Sequence, residues 1–432
     1  MSNTAHELAE LYTSLTGTSL PIRLRAWDGS ETGGPSGSQC PNASEPTVTL
    51  RCPTALRRLA WHPNELGLAQ AYVTGDLDLD GDLGEALRRF RPEIATPAGA
   101  PARNAATPRP RPSVAALIKA LPTAARLGAL GPRPAAPATQ AKLRGPRHTR
   151  SRDRAAIAHH YDLSNDFYGL ILDESMAYSC AYWTSSDPEY TLEDAQRDKL
   201  DLICHKLELS RGKRMLDIGC GWGALLLHAA EHYGVRVLGV TLSAEQARFV
   251  SARIEKAGLG DRAEVKLTHY RDVTSPTGFD AVSTIEMGEH VGDREYPAFA
   301  KRLRDLLVPG GRLLVQQMSR GSVAPGGGAF IERFIAPDMH MRPLGETVAL
   351  LERGGVEVIG VQGMREHYVR TIRAWTEKFE ARWEEVVDMV GLETARVWRL
   401  YLVGGALAFE QGRMGVDQIL AVRPGATLPS GA

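Results

Sequence analysis

The sequence contains little cysteine, no long apolar run and no segment with the pattern of a secretory leader. Its five cysteines form no C-x-x-C pair and no spacing with histidine that is typical of a metal site. These residues are Cys40, Cys52, Cys180, Cys204 and Cys220. An odd number of cysteines without a leader is typical of reduced thiols in a cytosol, and no stretch reaches the roughly 18 apolar residues of a membrane-spanning helix. We therefore expect a cytoplasmic protein without a metal site, either soluble or attached to a membrane from one side only.

Charge is balanced over the whole chain but not along it. The 51 Lys and Arg residues equal the 51 Asp and Glu residues, yet residues 93–154 hold twelve basic and only two acidic side chains. Such a cationic segment on an acidic body favours an anionic partner, which is either a membrane surface or a nucleic acid. The segment has no aromatic residues among its Arg and Pro residues for base stacking. We therefore expect an anionic membrane surface and no nucleic acid.

Composition divides the chain into three parts. Residues 1–92 have strand patterns at 21–25, 47–51 and 77–79 and a helical pattern at 63–72, which predict a small α+β domain. Residues 93–150 are rich in Pro, Ala and Arg and predict a basic linker. Within this linker, residues 113–130 have the pattern of short amphipathic helices broken at Pro122 and Gly128. This pattern fits an ordered tether and a membrane-surface helix alike.

Residues 151–432 have the pattern of a regular α/β domain. Apolar runs at 214–218, 236–241, 264–268, 280–285 and 312–316 alternate with amphipathic stretches near 224–232, 244–256 and 295–307. Alternating strands and helices predict a parallel, doubly wound sheet of the Rossmann-like class. Two helices near 373–390 and 392–412 precede a final strand at 418–422.

The first of these strands ends in the glycine-rich segment DIGCGWG at residues 217–223. Glycines at a strand-to-helix turn bring the backbone close to a ligand and expose helix N-terminal N–H groups. A dinucleotide site would have G-x-G-x-x-G and an acid at the tip of the second strand, but that strand ends in GVTLSAEQ (239–246) with no acid at its tip. The G-x-G-x-G spacing after Asp217 instead predicts S-adenosylmethionine (SAM), whose cationic amino-acid end meets the carboxylate. A tight packing turn is the alternative.

Five segments together resemble the cyclopropane-fatty-acid synthase and mycolic-acid methyltransferase family. They are HHYDLSNDFY (159–168), YSCAYW (178–183), LDIGCGWG (216–223), GVTLSAEQ (239–246) and GEHVG (288–292), in the order and spacing of the family. The resemblance covers about residues 155–425 and implies a class I SAM-dependent methyltransferase with a seven-stranded, mostly parallel sheet. The N-terminal domain, residues 1–92, resembles the extension of the bacterial synthases that act on intact phospholipid, which implies that it binds lipid or membrane.

The resemblance implies which residues hold the cofactor. Tyr178 and Ser179 meet the methionine end, Gly219 and Gly221 lie in the loop, and Tyr270 matches an aromatic position beside the adenine. The ribose-side segment supplies Thr241, Leu242, Ser243 and Gln246. A packed aromatic remains the alternative for Tyr270.

The family uses a bicarbonate ion as base, and the resemblance implies its ligands. These are the backbone at Cys180, the Glu289 side chain, Tyr368 and two residues after the fifth strand, while His160 matches a position that lines the site. The two strand residues are a histidine and an isoleucine in the family but fall on Gln316 and Met318 here. Glutamine binds an anion but cannot take up a proton, so bicarbonate is expected to be held differently or replaced by another base. Gly288 stands where the family has a phenylalanine, which predicts open space near the reacting carbons.

The chemistry that the family performs requires a site for a greasy chain and a transient carbocation. Aromatic faces attract cations, and the candidate walls are Tyr161, Phe167, Tyr168, Tyr182, Trp183, Phe330 and Phe334. The cation closes to a cyclopropane ring, or it undergoes a hydride shift and loses a proton to give a methylene branch. An actinobacterial branch of the family makes methylene-branched lipids as precursors of tuberculostearic acid, and the N-terminal segment YVTGDLDLDGD resembles that branch. This resemblance and the altered base pocket favour the 10-methylene product on an acyl chain of membrane phospholipid. A cyclopropane product and methylation of another apolar small molecule remain the alternatives.

Partners and location follow from the same resemblance. We expect a homodimer, attachment to the inner face of the cell membrane, and a flavoprotein reductase that saturates the product. The Gly- and Pro-rich segment 319–346 is expected to form a lid over the acyl chain, or else a long connection.

Overall fold

The computed structural model describes residues 3–32, 45–90, 113–141, 163–320 and 327–425. Two compact units make up the chain. The first comprises Met1–Gln140 and Trp383–Leu407, and the second comprises Ala141–Arg382 and Ala408–Ala432. The first unit therefore extends beyond the expected boundary at residue 92 and includes a segment from the C-terminal part of the sequence.

The first unit is an α+β domain around a four-stranded sheet of order β2-β1-β3-β4. These strands are Arg23–Arg25 (β1), Glu31–Thr32 (β2), Thr47–Leu50 (β3) and Leu77–Asp80 (β4). Its helices are Thr4–Thr16, Thr54–Trp61, Glu65–Val73, Leu83–Phe90, Val114–Arg126, Trp383–Val390 and most of Leu392–Glu410. Alternation along the short strands points Leu24 and Val48 into an apolar core that also contains Ile22 and Tyr72.

Helix Leu392–Glu410 belongs to this unit through a partly buried arginine as well as apolar contacts. Arg396 donates to the Tyr72 carbonyl oxygen at 2.8 Å and to the Asp78 carboxylate at 3.1 Å. Both partners precede it by more than 300 positions, a separation that local sequence patterns do not reveal.

The amphipathic stretch in the expected linker is one continuous helix, Val114–Arg126. Pro122 lies inside it and does not break it, contrary to the prediction, whereas Gly128 follows its C-terminus with a left-handed φ of 73°. Ser113 caps the start by accepting the Ala116 N–H at 3.1 Å. Its four large apolar residues are all exposed: Val114, Leu117, Ile118 and Leu121.

The second unit contains the predicted doubly wound sheet. Its strands are Arg214–Ile218 (β5), Arg236–Thr241 (β6), Ala263–Leu267 (β7), Phe279–Ile285 (β8), Leu307–Arg320 (β9), Glu357–Gly363 (β10) and Met414–Val422 (β11). They have the order β10-β11-β9-β8-β5-β6-β7; the pairs from β9 through β7 are parallel, and β11 is antiparallel to both of its neighbours, β9 and β10.

Helices cover both faces of this sheet with two apolar clusters. They are Asn165–Ile171, Leu192–Lys206, Ala224–His232, Ala244–Lys256, Tyr296–Leu306, Ala329–Phe334, Leu344–Arg353 and Arg365–Ala381. The strand order reverses at β5, between β6 and β8. In sheets of this kind the ligand lies outside the carboxyl ends of the strands at the reversal. In the part of the chain that the structure describes, no helix is long and apolar enough to cross a membrane.

Candidate active site

The loop after β5 is held open by left-handed glycines. Gly219, Gly221 and Gly223 have φ values of 77°, 54° and 84°. A Cβ on Gly219 would lie 3.1 Å from the Met287 side chain, so the backbone there approaches its neighbour closely. The Gly219 and Cys220 N–H groups both donate to the Val240 carbonyl oxygen at the end of β6, which fixes the loop at the strand reversal.

A pocket lies beside this loop, and nine of the ten predicted cofactor residues line it. They are Tyr178, Ser179, Asp217, Gly219, Gly221, Thr241, Leu242, Gln246 and Tyr270. Ser243, the tenth, is not among the lining residues that the structure describes; it caps helix Ala244–Lys256 by accepting the Gln246 N–H at 3.2 Å. In turn, the Thr241 hydroxyl donates to Gln246 Oε1 at 2.8 Å, so these two polar side chains are held together at the tip of β6.

The acidic wall of the pocket is the buried carboxyl of Asp217. Its Oδ1 accepts the Ser283 hydroxyl at 2.7 Å, and burial raises its pKa to about 6, an effect opposed by Ser283 and by the positive charge of Lys199. A buried carboxylate without a bound cation is costly, so the position is suited to a cationic group. The residues thus fit SAM, whose ammonium group supplies that charge.

Lys199 is a pocket residue that the sequence analysis missed. Its side chain is buried, its Nζ donates to Ser179 Oγ at 3.0 Å, and burial lowers its pKa. It lies on helix Leu192–Lys206, where a lysine is an ordinary surface residue and no local pattern marks it as buried.

Three of the predicted base-site groups converge on a carboxylate that the sequence analysis did not single out. The Cys180 N–H donates to Glu286 Oε1 at 2.8 Å, Gln316 Nε2 donates to the same oxygen at 2.8 Å, and the Tyr368 hydroxyl donates to Oε2 at 2.6 Å. Burial raises the pKa of Glu286, and these three donors oppose that rise. The signal that marks Glu286 in the sequence is an acid directly at the end of an apolar strand, three positions before Glu289.

The backbone at Glu286 is unusual as well. Its φ is 51°, in the left-handed region that favours glycine, which costs an L-residue with a side chain roughly 1–2 kcal/mol. Its N–H donates to the Gln316 carbonyl oxygen at 2.6 Å. Non-glycine residues held in this region by their surroundings concentrate at functional sites.

Gln316 is oriented from the antiparallel side of the sheet. The Gln418 Nε2 donates to Gln316 Oε1 at 2.9 Å, so the Gln316 amide N–H₂ faces Glu286. Lys206 Nζ in turn donates to Gln418 Oε1 at 2.6 Å, and burial lowers the pKa of Lys206 to about 8. A chain of hydrogen bonds therefore runs from Lys206 through both glutamines to the carboxylate.

Cys180 and Tyr368 contribute through different atoms. The Cys180 thiol is buried, and burial raises its pKa well above the ordinary value, so the thiol is neutral and only the backbone N–H reaches Glu286. The Tyr368 ring packs against Phe409, with ring centroids 4.6 Å apart, and against Trp375 at 6.0 Å, which fixes the direction of its hydroxyl.

Glu289 lies near this cluster but does not share its hydrogen bonds. Its side chain is fully buried, no side chain among the described residues donates to its carboxyl oxygens, and only weak backbone N–H contacts at Glu289 and Met318 reach them. Burial, reinforced by the charge of Glu286, raises its pKa to about 8. Glu289 is therefore a neutral acid at pH 7. His160, the remaining predicted base-site residue, lies outside the described residues.

The space expected beside Gly288 is filled. A Cβ on Gly288 would lie 2.1 Å from Gln317 Oε1 and 3.6 Å from the Tyr296 hydroxyl. The Tyr296 hydroxyl donates to Gln317 Oε1 at 2.7 Å, so this pair occupies the volume that the loss of a phenylalanine side chain vacates. The prediction of open space there is wrong.

An aromatic cluster adjoins the cofactor pocket. Tyr168 lies 5.5 Å from Phe167, 5.5 Å from Tyr178 and 4.4 Å from Trp222 between ring centroids, and Tyr178 lies 5.3 Å from Trp375. Phe167 and Tyr168 were predicted walls, whereas Trp222 and Trp375 were not.

The other aromatic residues that were predicted to line the site make their contacts outside this cluster. Tyr182 contacts the His367 ring and Trp183 contacts the Tyr190 ring, both at a tilt. Phe330 and Phe334 pair with each other on helix Ala329–Phe334 inside the expected lid. Tyr161 and residues 321–326 of that lid lie outside the described residues.

A comparison with protein families matches residues 148–419 to the family described as mycolic acid cyclopropane synthetase. A probable fatty acid methyltransferase of Mycobacterium tuberculosis is 37% identical over 425 residues, covering 96% of this chain and 94% of that protein. The tuberculostearic acid methyltransferase of the same organism is 31% identical and covers 95% and 90%. Among solved structures, mycolic acid cyclopropane synthase CmaA1 complexed with SAH and CTAB is 30% identical, with a TM-score of 0.59, covering 62% of this chain and 98% of that one.

Proposed function

The chain belongs to the mycolic acid cyclopropane synthetase family and is a SAM-dependent methyltransferase of fatty acids or lipids, and we propose that it methylates the cis double bond of an unsaturated acyl chain in membrane phospholipid. The observation that carries the proposal is the continuity of the site: Glu286 both lines the cofactor pocket and anchors the buried hydrogen-bond cluster behind it. A methyl donor and a group able to receive a proton thus face one space.

Different residues of the pocket suit different parts of the SAM molecule. Asp217 and Ser179 suit the amino-acid end, the glycine loop suits close backbone approach, and Thr241 with Gln246 suits the ribose. Tyr270 offers a ring face for the adenine. When bound, SAM supplies an electrophilic methyl group.

The residues of the aromatic cluster suit the acyl chain. Tyr168, Tyr178 and Trp375 present rings beside the pocket, and ring faces stabilise a nearby cation without acting as nucleophiles. An alkene that has accepted a methyl group becomes such a cation, so these rings are proposed to shield it from water until a proton is lost.

We propose the methylene-branched chain of the 10-methylene type as the product. The base cluster differs from the pattern implied by the resemblance at Gln316 and Met318, and the chain is similar over 95% of its length to a tuberculostearic acid methyltransferase. Release of such a product to a flavoprotein reductase would complete a methyl branch.

The test is mass spectrometry and NMR of lipids from cells that express the chain and are fed oleate. We expect a product one CH₂ heavier that shows vinylidene protons. High-field cyclopropane protons would assign ring closure instead, and the absence of any added mass in lipid would contradict the proposed substrate.

We further propose that helix Val114–Arg126 docks on an anionic membrane. Val114, Leu117, Ile118 and Leu121 follow the i, i+3, i+4, i+7 spacing of one helix face, and all four are exposed. The sequence on both sides is rich in Arg and Lys. An exposed apolar face with basic flanks is the pattern of a helix that lies in the membrane interface, so the location proposed is the inner face of the cell membrane.

Replacing Leu117 and Ile118 with aspartate is expected to weaken binding to anionic vesicles by tenfold or more, because two apolar contacts are lost and two negative charges added. Vesicle co-sedimentation measures this. Val361, an equally exposed residue on β10, provides the control as Val361→Asp. If the variant with aspartate at positions 117 and 118 bound vesicles as well as the Val361→Asp control does, docking through this helix would be contradicted.

We also expect the protein to form a homodimer, and light scattering measures the mass of the particle.

A further inference from the structure

We propose that Glu286 is the resident base of the active site: its carboxylate holds the position that the family resemblance assigns to a bicarbonate ion and takes the proton that the methylated acyl chain loses. The identification of the methylated acyl chain as the source of the proton rests on the proposed function. The occupancy of the bicarbonate position, here called the anion position, by the Glu286 side chain does not rest on it.

The donors around Glu286 are sufficient for one anion and are all used. They come from three separate segments: Cys180 before helix Leu192–Lys206, Gln316 on β9 and Tyr368 on helix Arg365–Ala381. One carboxylate satisfies them, with two bonds to Oε1 and one to Oε2. The residues therefore do not fit a second anion at this position.

The backbone is arranged to place this carboxylate. Glu286 directly follows β8 and has a left-handed φ of 51°, a conformation that glycine adopts freely and glutamate does not. The N–H bond to Gln316 O and the three bonds to the carboxylate hold it there. Glu208 has the same φ at the surface, so the feature that distinguishes Glu286 is the convergence of three donors from separate segments on its carboxylate.

Glu286 is also the member of the cluster that reaches the pocket. It lines the pocket together with Ser179 and Gly219, whereas Cys180, Gln316 and Tyr368 are not among the described lining residues. Glu289 is a poor alternative base, because at pH 7 it already carries its proton, and an amide such as Gln316 cannot accept one.

Proton loss to Glu286 follows methyl transfer and a hydride shift. The π electrons of the alkene form the bond to the methyl carbon while the C–S bond breaks and its electrons remain on sulfur, which leaves a cation on the acyl chain. A 1,2-hydride shift moves that cation to the carbon that bears the new methyl group. Glu286 then takes a proton from this methyl group, and the C–H electrons become the exomethylene π bond. The Glu286 proton returns to water once the product has left the pocket.

The test compares Glu286→Gly and Glu286→Gln with the wild type in buffer freed of bicarbonate. The glycine variant suits the left-handed backbone and opens the anion position, whereas the glutamine variant keeps it filled without a base. We expect both variants to lose activity by about 100-fold or more. Added bicarbonate should restore at least tenfold in Glu286→Gly and nothing in Glu286→Gln, and it should leave the wild type unchanged.

Binding of [¹³C]bicarbonate can be measured by NMR without any lipid, and it shows whether Glu286 or bicarbonate occupies the anion position. We expect binding to Glu286→Gly and none to the wild type. Glu208→Gly is the matched control, since Glu208 is an exposed glutamate with the same φ of 51°; it should neither bind bicarbonate nor lose activity.

Two outcomes would overturn the inference: bicarbonate binding by the wild type, or loss of wild-type activity when bicarbonate is removed. If no protein, wild type included, methylates lipid, the proposed substrate fails, while the bicarbonate measurement still decides the role of Glu286 as the occupant of the position.

Discussion

Asp217→Asn is expected to weaken the binding of SAM and of S-adenosylhomocysteine by about 100-fold. Asp217 is buried at the pocket wall with its orientation fixed by Ser283. Removing one partner of a buried, hydrogen-bonded charge pair costs roughly 2–5 kcal/mol, and about 2.8 kcal/mol corresponds to 100-fold in affinity. Calorimetric titration with S-adenosylhomocysteine, which retains the ammonium group, measures the loss.

The pH dependence of the same titration provides a second check. Burial raises the pKa of Asp217 to about 6 in the free protein, and only the ionised form attracts the ammonium group. Affinity should therefore fall as the pH drops below about 6 in the wild type, and this fall should be absent in Asp217→Asn. Ser283→Ala, which removes only the 2.7 Å hydrogen bond, serves as the control and should cost less than about tenfold. Unchanged affinity in Asp217→Asn would place the amino-acid end of SAM elsewhere.

Tyr368→Phe is expected to lower kcat by about 10- to 100-fold at neutral pH with little change in SAM affinity. The lost bond is the 2.6 Å hydrogen bond from the hydroxyl to Glu286 Oε2, and hydrogen bonds to charged groups contribute about 1.5–3 kcal/mol. Tyr368 acts through Glu286 and is a positioning residue. Steady-state rates on unsaturated phospholipid measure the effect.

The pH profile separates this role from a structural one. The Tyr368 hydroxyl lowers the pKa of Glu286 against the rise caused by burial, so its removal raises that pKa. Because the base must be ionised, the acid limb of the rate profile should move to higher pH, and the deficit should shrink as the pH rises. A deficit that is the same at every pH would contradict this role. Tyr190→Phe, which removes a hydroxyl donated to Asp198 away from the cluster, should leave the profile in place.

The central fold follows from local patterns in the sequence. Strands β5 and β6 have the predicted bounds, 214–218 and 236–241, because each is a buried apolar run that ends at a glycine- or serine-containing turn. The edge strand β10 was not predicted, since its residues are exposed or half-buried throughout and it lacks the apolar run of a central strand. The packing of Trp383–Leu407 with the first unit was also missed, because contacts such as that of Arg396 with Asp78 join distant segments.

The cofactor pocket and the hydrogen-bond cluster around Glu286 also differ in how far local motifs reveal them. The proposed cofactor pocket is lined by the loop after β5, the tips of β6 and β7 and the segment that contains Tyr178 and Ser179, and motifs in the sequence named nine of these residues. The base side is assembled by contacts across 106, 30 and 82 positions, from Cys180, Gln316 and Tyr368 to Glu286. The motifs identified each donor but not the group to which all three donate.

The left-handed backbone at Glu286 also bears on how such an enzyme can evolve. Two of the four glycine codons differ from a glutamate codon by a single nucleotide, and both residues fit this φ, one freely and one at a cost. If Glu286 is the base, as we propose, one point mutation at this position suffices to exchange a base encoded in the chain for one drawn from dissolved carbon dioxide, without rebuilding the fold.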